Sequence, residues 1–460
     1  MSKKQLNLFD LAMIVVSLVI GMGIFRVPTV VADRTGTPLL FFAAWLIGGV
    51  IAFCGGLTYG EIGSRYPVTG GYYKIFSYGY HPSLAFAINC IILVSNASSI
   101  AVVGVMGAEY IGYFFYGSQP TPESFRLLVT AGAVAFFYVI NLLGLRMSSR
   151  VQNILTIFKI LLVVLLLTSL FGTHPVVLHR QAAMAAAGES ASGGWLKALA
   201  FGMIAVSFTY GGYQQTINFG GEVRNAGRII PRGIGSGVVL IIILYLAINF
   251  VYVRVIGFDQ LKSADSIAAT LMDHLFGAAG DRILRILMFL SVLAYVNVSV
   301  MSNPRVMYAM SEEGILPSIF RKRTAKHDVI VWSLTAYSAA IVLTLVFSSA
   351  VEKILNYTIF LDSIGFATSA STIFILRRRK VREDQDIYRI KWYPLVPLIL
   401  ILAYIGVATS IVWNAPHAAL YGGSVFVFFF LLYFVIRAWK GRGRTGSQET
   451  PEAFRPKARH

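Results

Sequence analysis

The sequence predicts an all-helical integral membrane protein of about twelve transmembrane helices built as an inverted repeat. Three observations lead there. Of 460 residues, 56% are hydrophobic and 13% charged, with a mean hydropathy of +0.69, more apolar surface than one soluble core hides. The apolar residues gather into about twelve runs of roughly 18 to 25, each able to cross a hydrocarbon layer of roughly 30 Å as a helix. Two of those runs carry paired glycines at their middles, in corresponding places. No run alternates like a barrel strand, so helices must satisfy the backbone in lipid.

The runs lie near residues 8–32, 38–62, 83–115, 127–145, 151–171, 195–221, 233–255, 283–303, 329–349, 354–376, 393–413 and 420–436. Met1-Ser2-Lys3-Lys4 precedes a first run too long for a signal-peptide core and without a small-residue cleavage site, so it reads as a retained helix. At its middle stands Ile20-Gly21-Met22-Gly23-Ile24, and the sixth run matches it with Phe208-Thr209-Tyr210-Gly211-Gly212-Tyr213. One glycine pair alone is ordinary close packing of helices. Two in matching positions point to broken helices around a midplane site. A break frees backbone N–H and C=O groups, which suit a zwitterion: its carboxylate meets a positive half-helix end and its ammonium meets carbonyls. Five helices plus five plus two accounts for the count. The expected organisation is one membrane domain over 1–440, with repeats near 8–172 and 195–377 and extra helices over 393–437. A polar tail over 441–460 is expected to be disordered.

The formal charge of +18 rests on 39 Lys and Arg against 21 Asp and Glu. With the N-terminus inside, most basic residues fall on the cytoplasmic side, as the positive-inside rule favours, and both termini are cytoplasmic. Arg321-Lys322-Arg323, Arg377-Arg378-Arg379-Lys380 and the basic tail flank helix ends, so they read as topology determinants and not as a nucleic-acid surface. Cys54 and Cys90 both lie inside apolar runs and form no disulfide framework.

Charges within the runs need a reason. Glu61 and Arg65 stand one helical turn apart at the end of the second run, as an inner-gate or stability pair. Lys159 lies deep in the fifth run, where an ammonium needs a partner, a proton-exchange role or a path to the interface. Asp362 sits well inside the tenth; it can pair with a cation, bind a proton or face a watered cavity. Arg26 either snorkels outward or lines an outer vestibule that attracts anions. Glu109 belongs near the interface. Asn89, Ser95, Asn96 and Ser98, with Asn297, Ser299 and Asn303, either line a pocket or join helices.

Several motifs in order resemble the amino acid–polyamine–organocation superfamily, most closely its L-type and cationic amino acid transporter branch, over roughly 6–436. Gly21-Met22-Gly23-Ile24-Phe25 is similar to the family's Gly-Ser-Gly-Ile-Phe, and Tyr59 to Pro67 followed by Gly70-Gly71-Tyr72-Tyr73 to its second-helix ending. Phe208 to Tyr213 resembles Phe-Ala-Tyr-Gly-Gly-Trp; Glu222-Val223-Arg224-Asn225 and Ile230-Pro231-Arg232 resemble the loop beyond it. Arg305 to Ala309, Gly314 and Pro317 match the eighth-helix end, and Tyr388-Arg389 with Tyr393 to Pro397 the approach to the eleventh. The resemblance implies the leucine-transporter-type five-plus-five inverted-repeat fold with discontinuous helices one and six, in which Ile20, Gly21, Met22, Gly23 and Ile24 hold the substrate carboxylate and Phe208, Tyr210 and Gly211 form the sixth-helix side, with Phe208 as an aromatic gate. It also implies that Lys159 tethers helix five to the inner half of helix one, where sodium-coupled relatives hold an ion. Three residues depart from the pattern: Met22 stands for serine, leaving backbone N–H groups to the carboxylate; Tyr213 stands for tryptophan; Arg26 stands where a small or apolar residue is usual.

The expected function is sodium-independent exchange of small or medium neutral L-amino acids, with Glu61, Arg65, Arg26, Tyr213 and Asp362 as gating or coupling candidates. Proton symport and a non-transporting sensor of the same fold remain alternatives. No Walker loop, nucleophile–base pair, metal-spaced cluster or carbonyl filter stands in the sequence, which disfavours ATP drive, an enzyme and a channel. No cofactor or metal is called for. The loop Gly117-Ser118-Gln119-Pro120-Thr121-Pro122-Glu123 holds no cysteine, so no disulfide-linked heavy chain is expected. Short loops suit a bacterial inner-membrane protein, with amino acid and lipid as its partners.

Overall fold

The computed structural model describes residues 5–21, 23–117, 119–171, 194–263, 267–346, 348–383, 387–414 and 416–441. Met22, Ser118 and the tail over 442–460, on which expectations were placed, lie outside them. The first run is two helices, α1 (Leu8–Val19) and α2 (Gly23–Thr35), bent by 46° where they part. Then follow α3 (Pro38–Arg65), a short α4 (Gly71–Gly79), α5 (Pro82–Tyr116), α6 (Glu123–Leu142) and α7 (Leu145–Leu167). The sixth run is α8 (Gly194–Tyr210), after which the chain tightens into 3-10 turns at Tyr213–Asn218 and Gly220–Glu222. The remainder is α9 (Ala226–Val255), α10 (Phe258–Ser263), α11 (Ile267–Glu312), α12 (Val331–Val346), α13 (Ser348–Arg378), α14 (Leu395–Asn414) and α15 (Pro416–Gly441).

Eight of these helices are long and apolar enough to cross a membrane alone, nine with the bent pair taken as one span. The shorter α12, with α8 and α13, completes the twelve predicted runs. The protein is a multi-pass membrane protein. Among the described residues there is no strand, only isolated bridges from Leu6 to Val223 and from Thr69 to Phe219. Helix starts follow local chemistry. Asn7 caps α1 reciprocally with Asp10, at 3.0 and 3.1 Å, while Thr37 and His81 cap helices that open on Pro38 and Pro82. Close packing needs small residues at chosen points: a Cβ on Gly60 of α3 would lie 3.0 Å from the Pro231 backbone of α9.

The face that carries the N-terminus is held by two buried carboxylates. Glu61 accepts from Arg65 Nε at 2.7 Å, Arg377 Nε at 2.8 Å and Nη2 at 2.6 Å, and the Ile390 amide at 2.8 Å. Its i,i+4 pair with Arg65 is thus part of a knot joining α3, α13 and the segment before α14, with Arg377 also over the Tyr393 ring at 3.7 Å. Glu222 accepts from Arg305 Nε at 2.6 Å and lies 3.7 Å from Arg323 Nη1. Burial works against the Arg323 guanidinium, yet Glu222, Tyr308 and Asp328 around it hold its pKa above the ordinary value. The Glu222 carbonyl accepts from the Gln5 and Leu6 amides at 2.8 and 3.1 Å, pinning the N-terminal segment to the same place.

Removing one partner of a buried charge network costs about 3–5 kcal/mol, whereas an exposed pair contributes roughly 0–1 kcal/mol. Glu61→Ala should therefore lower the thermal midpoint in detergent by far more than Glu109→Ala, whose partner Arg126 sits 2.9 Å away at a pair that is half exposed. Equal shifts for the two variants would show that Glu61 does not hold this face.

Candidate substrate-binding site

A helix that stops inside lipid leaves its last carbonyls and the next helix's first amides without intrahelical partners. At the first break these groups are met by side chains from elsewhere in the bundle. Lys159 on α7 is fully buried, and its Nζ lies 2.5 Å from the Ile20 carbonyl and 3.4 Å from that of Ser17. Ser17 Oγ in turn accepts from Gln152 at 2.6 Å, and Asn297 donates to Gln152 at 2.8 Å. Tyr245 of α9 places its hydroxyl 3.0 Å from the Val19 carbonyl and 3.3 Å from that of Thr209. One hydroxyl thus touches both broken helices.

The second break lies directly on the first. Gly212 has φ +118, and a Cβ there would sit 2.5 Å from the Leu18 carbonyl oxygen, so the left-handed backbone and the close approach both require glycine. Its amide is capped by Gln214 Oε1 at 2.9 Å. Between the breaks and α5, α13 and α14 is a cavity of about 350 Å³, reached by Gly21, Gly23, Gly211 and Gly212. The C-terminal ends of α1 and α8 bring partial negative charge to it, and the N-terminus of α2 at Gly23 brings partial positive charge. That combination matches an ammonium beside a carboxylate. Phe366 and Tyr404, stacked at 4.3 Å, line the cavity; Tyr59 packs edge-on against Tyr213 and Phe366 at 5.9 and 6.3 Å, and Tyr213 lies tilted against Phe366 at 6.0 Å. Along α3 and α13 this aromatic layer lies on the way to the Glu61 knot.

The named residues divide. Gly21, Gly23, Phe208, Gly211 and Asp362 reach the cavity wall, and Phe208, 53% exposed, does not close over it. Ile20 and Ile24 are fully buried beside it; Ile20 contributes its carbonyl to Lys159. Tyr210 points away from the wall, its ring against Trp45 and Tyr245 at 5.9 and 5.0 Å and its hydroxyl donating to the Trp45 carbonyl. Tyr213 is buried beneath the wall, against the bare face of Gly55. Arg26 is exposed and outside the wall, within electrostatic range of Tyr110. Glu61 and Arg65 belong to the N-terminal face. Of the polar residues left open, Ser95, Asn96 and Ser299 line the cavity, whereas Asn89 bonds within its own helix and Asn297 joins helices. Sequence reasoning missed Tyr245, Gln152 and Gln214. An intramembrane Tyr or Gln was the available signal, but it does not say which carbonyl the side chain meets.

The profile of the family described as amino acid permease matches residues 6–437. Similar proteins include the serine/threonine exchanger SteT of Bacillus subtilis, 28% identical over 407 residues, covering 87% of this chain and 89% of that protein. The large neutral amino acids transporter small subunit 2 of Rattus norvegicus is 27% identical over 446 residues, covering 95% and 81%. The b(0,+)-type amino acid transporter 1 of Mus musculus is 24% identical over 447, covering 96% and 90%.

Two glycines at the breaks should respond differently to a methyl group. Gly212→Ala is blocked by its φ and by the Leu18 carbonyl, so ligand binding and thermal stability should fall together. At Gly21 a Cβ meets nothing within 4 Å, so Gly21→Ala should fold normally and lose affinity alone. Tyr245→Phe removes a donor from buried carbonyls, a loss of about 1–3 kcal/mol that thermal unfolding in detergent would register.

Proposed function

The chain belongs to the amino acid permease family, and from that premise we propose that it is a secondary transporter that exchanges L-amino acids without sodium, small and medium neutral ones foremost. It is a transporter and not an enzyme, as its relatives are. The observation that carries the reading is the meeting of two helix breaks at one cavity, with opposite helix-end polarities facing it. Substrate sits with its carboxylate toward the α2 amides at Gly23 and its ammonium toward the carbonyl ends of α1 and α8. Phe208 swings across it as gate. The two halves of a five-plus-five inverted repeat then rock around this point.

Sodium independence is supported by Lys159. Its ammonium already stands at the Ser17 and Ile20 carbonyls, where a cation would need oxygen ligands, and a second cation there would be repelled. The same side chain also ties α7 to the end of α1, so the tether travels with the break instead of leaving with an ion. Arg26 stands off the wall, so it gives no support to an acidic substrate side chain. Arg65, Arg305, Arg323 and Arg377 crowd the N-terminal face, and by the positive-inside rule that face is cytoplasmic in the plasma membrane.

In proteoliposomes under clamped voltage and pH, uptake of labelled amino acid should require amino acid inside and be indifferent to sodium. Uptake that needs no internal amino acid and follows a proton gradient would replace exchange by symport, and binding without any flux would mark a sensor. Lys159→Met leaves two buried carbonyls without their donor, so exchange should fall by at least roughly tenfold. Restoration of the variant's activity by sodium would indicate that the cavity left by the ammonium takes an ion.

A further inference from the structure

The cavity wall carries one formal charge among the described residues, the Asp362 carboxylate of α13. It is half-buried, and no hydrogen bond or ion pair to it occurs among the described residues. The other buried carboxylates among the described residues have partners: Glu61 meets Arg65 and Arg377, Glu222 meets Arg305 and Arg323, and Asp10 accepts from the Asn7 amide and the Asn153 side chain. The groups within electrostatic range of Asp362 are tyrosines, Tyr72, Tyr295 and Tyr404. The nearby cations are engaged or distant: Lys159 is spent on the α1 carbonyls and Arg26 stands outside the wall. A carboxylate in lipid that is left without a cation is costly unless a ligand or water meets it.

Its height above the break is fixed by the helix. Phe366, one turn along α13, lies against Gly211: a Cβ on that glycine would meet its ring at 3.7 Å. Four residues of helix rise about 6 Å, so Asp362 sits one turn beyond the level of the second break, away from the Glu61 face. An amino acid anchored by its α-groups at the breaks would bring the end of a four-carbon ammonium stem to that height.

We propose that Asp362 is a specificity-determining residue that receives the distal ammonium or guanidinium of a cationic amino acid, whose α-amino and α-carboxyl groups rest on the two breaks. This rests on the transport reading above and widens its substrate class. Charge decides the selectivity. A dibasic substrate supplies the missing counter-cation, a neutral one leaves the carboxylate to water, and an acidic one places two like charges on a poorly screened wall.

The comparison that isolates the distal charge is lysine against norleucine, which share the four-carbon stem and differ by the ammonium. With the purified full-length protein, binding of each is measured by ligand-induced thermal shift and by competition with a labelled amino acid. The wild type should bind lysine more tightly than norleucine, and Asp362→Asn should erase the preference, weakening lysine by roughly 10- to 100-fold while norleucine changes by no more than about threefold. Asp362→Glu, which keeps the charge on a longer arm, should retain part of the preference. Norleucine binding with no lysine binding in the wild type would overturn the proposal and leave amino acid transport standing. Equal loss of both ligands in Asp362→Asn would make the residue structural and also overturn it, as would unchanged lysine affinity with loss only of pH-dependent flux. If no amino acid binds at all, the transport reading falls and this one with it.

Discussion

Everything near the site depends on how carbonyls at the end of α1 are satisfied inside a membrane. A helix broken in lipid has no water to complete its hydrogen bonds, and each orphan costs several kcal/mol. Here the groups come from α7 and α9: the Lys159 ammonium at Ser17 and Ile20, and the Tyr245 hydroxyl between Val19 and Thr209. Because Tyr245 touches both broken helices and Gly212 lies on Leu18, the two breaks form one structural unit. The cavity exists because that unit cannot collapse into continuous helix.

A second constraint acts on the N-terminal face. Two buried glutamates each collect two arginines, Glu61 from its own helix α3 and from distant α13, Glu222 from α11 and the loop before α12. Such networks are poor sources of net stability, because desolvation offsets much of the Coulomb attraction, yet they are expensive to leave half made. That asymmetry suits an element that is either fully closed or fully parted. Between these knots and the cavity lies the aromatic layer of Tyr59, Tyr213, Phe366 and Tyr404, which excludes water by packing.

The cavity itself joins helix-end dipoles with mostly uncharged side chains. Dipoles of opposite sign at α1, α8 and α2 face the cavity from the backbone, whatever side chains line the rest of it. The wall opposite the breaks is built of side chains, with Asn96, Asp362 and Val407 contributed by α5, α13 and α14. In the proposed function, recognition independent of the substrate side chain falls to the backbone and selection among side chains to that wall, as a transporter for a class of zwitterions requires.

The sequence by itself determined the membrane class, the twelve runs and the places where two helices break, because length, hydropathy and paired glycines are local properties that lipid makes obligatory. It also marked Lys159 and Asp362 as charges needing a reason, since a charge in an apolar run is legible without any structure. Only the tertiary structure decided which groups answer one another. The i,i+4 pair of Glu61 and Arg65 was visible along one helix, but Arg377, more than three hundred residues away, was not. Tyr210 carries a motif position yet turns toward Trp45, and Tyr245, in no motif, bridges both breaks. A side chain's direction depends on the rotation and crossing of the helices around it, which periodicity in one segment does not encode.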